Sequence, residues 1–126
     1  MSRIVLTAMA LTLLSVGPAA AKGMTPPGKW LTVIKDAIRA ELKDPEIATF
    51  NRIFFASGKV DGGGFPVCGF VGFKQKTDKH PTKQPFFGLI TPPDTGIAGK
   101  FESIRLGTTA KQADEIAQTC KQHGIY

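Results

Sequence analysis

Near the front of the chain, apolar residues recur at three- and four-residue spacing, as Trp30, Leu31, Ile34, Ala37, Ile38 and Leu42, while Lys29, Lys35, Asp36, Arg39 and Lys43 fall between them. This period predicts an amphipathic helix of about four turns. Thr25-Pro26-Pro27 can open it, because proline is tolerated in a first turn, and Asp44-Pro45 closes it, because proline disfavours a helical conformation in the residue before it. Asp44 is placed to cap a further short turn from Pro45 to Ala48.

The pattern then changes. Phe50 to Ala56 carries Phe50, Ile53, Phe54 and Phe55 with few helix formers and predicts a strand. A glycine-rich connection through Gly58-Lys59 and Gly62-Gly63-Gly64 leads to a second strand from Val67 to Gln75, where Val67, Val71 and Phe73 share one face and Cys68 and Phe70 the other. Apolar residues on both faces mark a central strand. Lys76 to Pro85 reads as a polar loop, Phe86 to Thr91 as a third strand and Pro92 to Gly96 as a turn. Phe101 to Leu106 alternates imperfectly and is the weakest strand signal. Thr109 and Gln112 have capping-box spacing, opening a second helix to His123 whose stripe is Ala110, Ala113, Ile116, Ala117 and Cys120. Gly124 can stop it. The expected fold is α+β: an N-terminal helix, a three- to four-stranded antiparallel meander and a C-terminal helix, with both helices on one face. No internal repeat is visible along the chain.

Ahead of these elements, Arg3, the apolar stretch Ile4 to Val16, the helix-breaking Gly17-Pro18 and the small residues Ala19-Ala20-Ala21 have the layout of a cleavable secretory leader over residues 1–21. The apolar stretch falls short of the about 20 residues a membrane span needs. Residues 22–28 then form a lead-in and 29–126 a single domain. Removal of the leader predicts a periplasmic or secreted protein with no membrane span.

The chain has 126 residues, 42% of them hydrophobic and 21% charged, which places it among globular proteins. Its formal charge is +6, from 16 Lys and Arg against 10 Asp and Glu. Much of that excess gathers in Lys74, Lys76, Lys79 and Lys83, opposed in the same stretch only by Asp78 and followed by Phe86 and Phe87. These four lysines and two phenylalanines form a candidate face for an anionic envelope component or an acidic protein. An equally physical reading makes the lysines a solubilising edge that discourages strand pairing. Export removes nucleic acid as a partner.

The two cysteines suit a single bridge. Cys68 lies on the expected central strand and Cys120 on the apolar stripe of the last helix, so a bond would tie helix to sheet and contribute about 4 kcal/mol by loop closure. Two free buried thiols, or a metal site combining Cys68 and Cys120 with His80 and His123, are the alternatives. The metal spacing is poor, because structural zinc sites draw ligand pairs from tight turns. No nucleophile motif adjoins His80 or His123, Gly58 to Gly64 lacks the Lys-Ser/Thr of a phosphate loop, and no cofactor is implied.

Leu42-Lys43-Asp44-Pro45-Glu46-Ile47-Ala48-Thr49-Phe50, then Val67-Cys68-Gly69, an aromatic-glycine segment at Phe86-Phe87-Gly88 and a late helix with one cysteine resemble a family of small exported bacterial proteins of unknown function. Its members share a Lys-Asp-Pro-x-Ser-Ala-x-Phe element, a Val-Cys-Gly-x-Val-Asn-x-Lys-Asn strand and a Gly-Gly-Tyr-x-Gly turn. Lys74 matches that strand, whereas Ile47, Gly72 and Gln75 replace the serine and the two asparagines. The resemblance covers Trp30 to Gly88 and the Cys120 helix. It implies export, a small α+β domain and paired cysteines, and it brings no activity.

The expected function is therefore a non-catalytic binding or envelope-associated module with one disulfide. A secreted enzyme inhibitor is the alternative, and a small hydrolase or metal enzyme using His80 or His123 a weaker one.

Overall fold

The computed structural model of the chain describes residues 23–42, 48–60, 63–73 and 82–126. Helix α1 (Gly28–Glu41) precedes four strands, β1 (Thr49–Phe55), β2 (Phe65–Phe73), β3 (Thr82–Thr91) and β4 (Lys100–Leu106), and helix α2 (Ala110–Gln122) follows them. The strands form one antiparallel sheet in the order β1-β2-β3-β4. The α+β class and the element order are those expected. The turn expected from Pro45 to Ala48 lies almost wholly outside the described residues, and Ala48 itself is not helical. Strand β3 starts four residues earlier than expected, because Thr82 to Pro85, read as loop, pair with Phe73 to Phe70 of β2.

The placement of the helices differs from expectation: they lie on opposite faces. Strand alternation sends Val67 and Val71 to one side and Cys68 to the other, and all three are completely buried. On the first face Ile34 and Ile38 of α1 pack with Ile53, Val67, Val71, Phe86, Ile90 and Phe101. On the second, Ile116 and Cys120 of α2 pack with Cys68, Phe87 and Ile125. One helix on each side is what a central strand apolar on both faces requires. The bond between Cys68 and Cys120 is formed, and the Thr109–Gln112 capping box is complete.

Both edge strands are bulged. In β1 the register shifts between Asn51 and Phe54, and in β4 two residues lie between Glu102 and Arg105 where β3 has only Gly88 between Leu89 and Phe87. The extra residue at each bulge takes positive φ, +52° at Arg52 and +55° at Ser103. The two halves match residue by residue, since every pairing of β1 with β2 recurs between β4 and β3. Thus Phe50, Arg52 and Ile53 correspond to Phe101, Ser103 and Ile104, and Pro66 and Gly69 correspond to Pro85 and Gly88. The prolines fit central strands for the same reason in both halves. Their carbonyls accept from Ala56 N–H and Gly107 N–H, the residues immediately after each edge strand, so the donor that proline lacks faces a place where the ladder is ending. This is a pseudo-twofold axis through the sheet. A linear scan misses it because the matching segments run β1, β2 and then β3, β4, with the outer strands equivalent and the inner strands equivalent.

The bulge in β4 offers a clean substitution. Ser103 is exposed and holds a left-handed conformation that costs an ordinary L-residue energy, whereas glycine adopts it freely. Ser103→Gly is expected to raise stability by about 0.5–1 kcal/mol, read as a higher urea midpoint with an unchanged denaturant slope.

Candidate functional surface

The pseudo-twofold axis keeps each face on its own side, so on the second face both halves of the sheet present equivalent positions. Among the described residues, only one half carries a helix. Helix α2 lies over β3 and β4 and reaches β2, and Arg105 of β4 faces Glu115 of α2 at 3.7 Å. Among the described residues, the part of the β1–β2 half that α2 does not reach is covered by Gly23 and by the chain after α2. Ile125 is buried there, its N–H donating to the Cys120 carbonyl at 3.0 Å and its carbonyl accepting from Gly23 N–H at 3.2 Å.

Tyr126 follows and settles among aromatic rings. Its ring meets Phe54 edge-on at 6.1 Å and Phe70 at 6.0 Å between centroids, and its hydroxyl donates to the Arg52 carbonyl at 2.9 Å. That carbonyl belongs to the residue at the β1 bulge, so the phenol satisfies an acceptor where the strand's own edge is disrupted. The Arg52 guanidinium lies 5.4 Å from the Tyr126 centroid and 5.9 Å from that of Phe70, the arrangement of a cation over aromatic faces. Tyr126 nevertheless remains 41% exposed, Phe54 and Phe70 are half-buried, and Asn51 and Arg52 are exposed.

Lys83 adds a second cation. It pairs with Gly72 across β2 and β3 and, by alternation with Phe87, stands on this same face, exposed. Among the described residues, β1, β2, β3 and the chain after Cys120 contain no Asp or Glu. Among the described residues, the side chains of this half-face are therefore cationic and aromatic.

The face expected from the sequence is only partly realised. Lys74, Lys76 and Lys79 lie outside the described residues, as does His80; they belong to the connection between the paired residues Phe73 and Thr82. Lys83 is exposed as expected. Phe86 and Phe87 do not belong to any binding surface: Phe86 is wholly buried on the α1 face and Phe87 is 8% exposed on the α2 face. Adjacent strand residues point to opposite sides, and each side is roofed by a helix there. His123 stacks on Phe87 with ring centroids 5.6 Å apart, and the disulfide takes both sulfurs, so the two-cysteine, two-histidine metal set cannot form. Arg52 and Tyr126 were not singled out by sequence pattern. The one available signal was a charged residue interrupting the apolar run from Phe50 to Phe55.

Burial pushes the Tyr126 hydroxyl up from 10.0 to about 12, with the positive charge of Arg52 pulling the other way. Tyr126 is the only tyrosine in the chain, so phenolate absorbance reports it alone. The neutral phenol is favoured in the folded state. The associated stability is thus complete below pH 10 and lost as pH rises from 10 towards 12. A spectrophotometric titration is expected to give a midpoint near 12 for the folded protein and near 10 in denaturant. A midpoint at the unfolded value in both would contradict the packed phenol.

Comparison with protein-family models, with curated proteins and with solved structures finds no match for this chain.

Proposed function

We propose that the protein is an exported, non-catalytic binding module for an anionic envelope component. The observation that carries this reading is the half-face of β1 and β2, where Arg52 is exposed against the Phe70 and Tyr126 rings and Lys83 is exposed on the same side, with no Asp or Glu on β1, β2 or β3 among the described residues. A cationic, low-acid surface attracts polyanions by long-range as well as contact electrostatics. Export rests on the leader pattern of residues 1–21 and on the resemblance to small exported proteins. The buried Cys68–Cys120 bond is compatible with an oxidising compartment.

Co-sedimentation of the purified protein with bacterial envelope fractions tests the binding reading. Retention at low ionic strength that is lost at high salt is expected, because exposed charge pairs are screened within a Debye length. No retention at low salt, or retention indifferent to salt, overturns it. Export is tested separately by N-terminal sequencing of the cell-expressed protein: a start at Lys22 is expected, and a cytoplasmic product starting at Met1 overturns it.

A further inference from the structure

Resting on that reading, we infer that the ligand of the open half-face is an acidic polysaccharide whose charge is carboxylate, bound with Arg52 as its principal anchor and Lys83 as a second cation. The chemistry of the face fits this class. A uronate chain offers carboxylates, ring faces lined with C–H groups, and hydroxyls. The half-face offers a forked guanidinium suited to a carboxylate, the partly exposed ring of Tyr126 beside it, and the exposed side-chain amide of Asn51 on the same strand. Asn51 pairs with Phe70, and Phe70 in turn with Pro85, so amide, ring and proline lie in one row across β1, β2 and β3. Lys83 lies two residues further along β3, on the same face. Spread charges along such a surface suit a ligand with repeated carboxylates rather than a single anion.

Two other macromolecular classes fit less well. A peptide adding to the sheet edge would need a regular run of free backbone groups on β1. That run is broken by the bulge at Arg52, its Arg52 carbonyl is taken by Tyr126, and its Phe55 end already pairs with Met24. An anionic bilayer calls for apolar side chains that protrude beyond the charged ones. Here the phenylalanines are half-buried against the sheet, while Ile97, the most exposed large apolar residue among those described at 58%, sits in the turn between β3 and β4, at the far end of the sheet from Lys83.

Titration calorimetry with a polygalacturonate oligomer, a neutral glucan oligomer of equal length and phosphatidylglycerol vesicles tests the inference on the full chain. The polyuronate alone is expected to bind. Arg52→Asn and Lys83→Gln are each expected to weaken that binding about tenfold, the scale of one charge-assisted hydrogen bond, and to flatten its salt dependence. Lys100→Gln, on the opposite edge strand, is expected to leave both unchanged. Asparagine is chosen at position 52 because it tolerates positive φ, and an unchanged melting temperature confirms an intact fold. The flattened salt slope separates ligand contact from a merely structural role for Arg52, which would not alter the number of charges engaged. Binding to the vesicles instead of the polyuronate overturns the inference, as does polyuronate binding that survives both substitutions; in either case salt-sensitive envelope retention still stands. Absence of both envelope retention and polyuronate binding overturns the functional reading as well.

Discussion

Removing the bond between Cys68 and Cys120 is expected to cost about 4 kcal/mol, the loop-closure contribution for a cross-link across 52 residues of sequence. Native domains hold only about 5–15 kcal/mol in total, so the loss takes a large share of the stability of so small a core. The structure explains why the cost falls on α2 in particular. That helix buries only Ile116 and Cys120, and Ile125, which follows it, packs in the same cluster as the disulfide. Without the bond, the second-face cluster has few apolar contacts to hold the helix against β2 and β3. Cys68→Ala with Cys120→Ala is the suitable variant, because serine would leave two hydroxyls in a dry cluster. Urea unfolding of this double variant should show a midpoint lowered by the full amount, and reduction of the native protein should reproduce it. The first-face core around Phe86 should persist longer in hydrogen exchange than the amides of α2. Equal protection in both would mean that α2 is held by packing rather than by the bond.

The elements of the fold were legible because their periods are clean: the apolar stripe of α1 and the capping box of α2 name their own helices. Strand β4 shows why one element was not. Phe101, Ile104 and Leu106 all pack towards the first-face core, at spacings of three and two, because Ser103 adds a residue at the bulge. A strict two-residue period cannot register that. The same displacement brings Phe50, Ile53 and Phe55 to one face of β1. An irregularity repeated in both edge strands is therefore part of the sheet's design, and it also breaks the flat edges through which sheets aggregate. The face each helix covers was readable in principle from β2, whose two apolar faces demand two covers, whereas a helix stripe reports only that something covers it.

The candidate surface was less legible, for a physical reason. Nearness in sequence joins Lys83 to Phe86 and Phe87, yet strand alternation sends Phe86 and Phe87 to opposite cores. The grouping that matters is across strands. Arg52 of β1, Phe70 of β2, Lys83 of β3 and Tyr126 beyond α2 meet only once register and chain return are known. Composition reports where along the chain the charge excess lies, not which residues shape a surface.

Phe86→Ala is expected to be as damaging as loss of the disulfide, at about 3–5 kcal/mol for a fully buried phenylalanine. Its ring lies edge-on to Phe101 at 6.2 Å and rests over the backbone of Gly69, where an added Cβ would come within 2.6 Å of it. The absence of a side chain at Gly69 is thus what makes room for Phe86, and the same relation joins Gly88 to Phe101 in the other half of the sheet. Gly69→Ala alone is expected to cost about 1–3 kcal/mol by overpacking. The two substitutions should not add. In the Phe86→Ala background the new methyl enters space the ring has vacated and keeps only its 3.0 Å approach to Ile53, so Gly69→Ala loses most of its cost, and the double-mutant cycle should give a coupling of about 1–3 kcal/mol in favour of the pair. Additive losses would show that Gly69 serves the backbone of β2 rather than the ring above it. Its φ does not lie in the positive region populated by Gly63 and Gly64, so a backbone requirement is not the expected answer: steric room for one ring is what this glycine supplies.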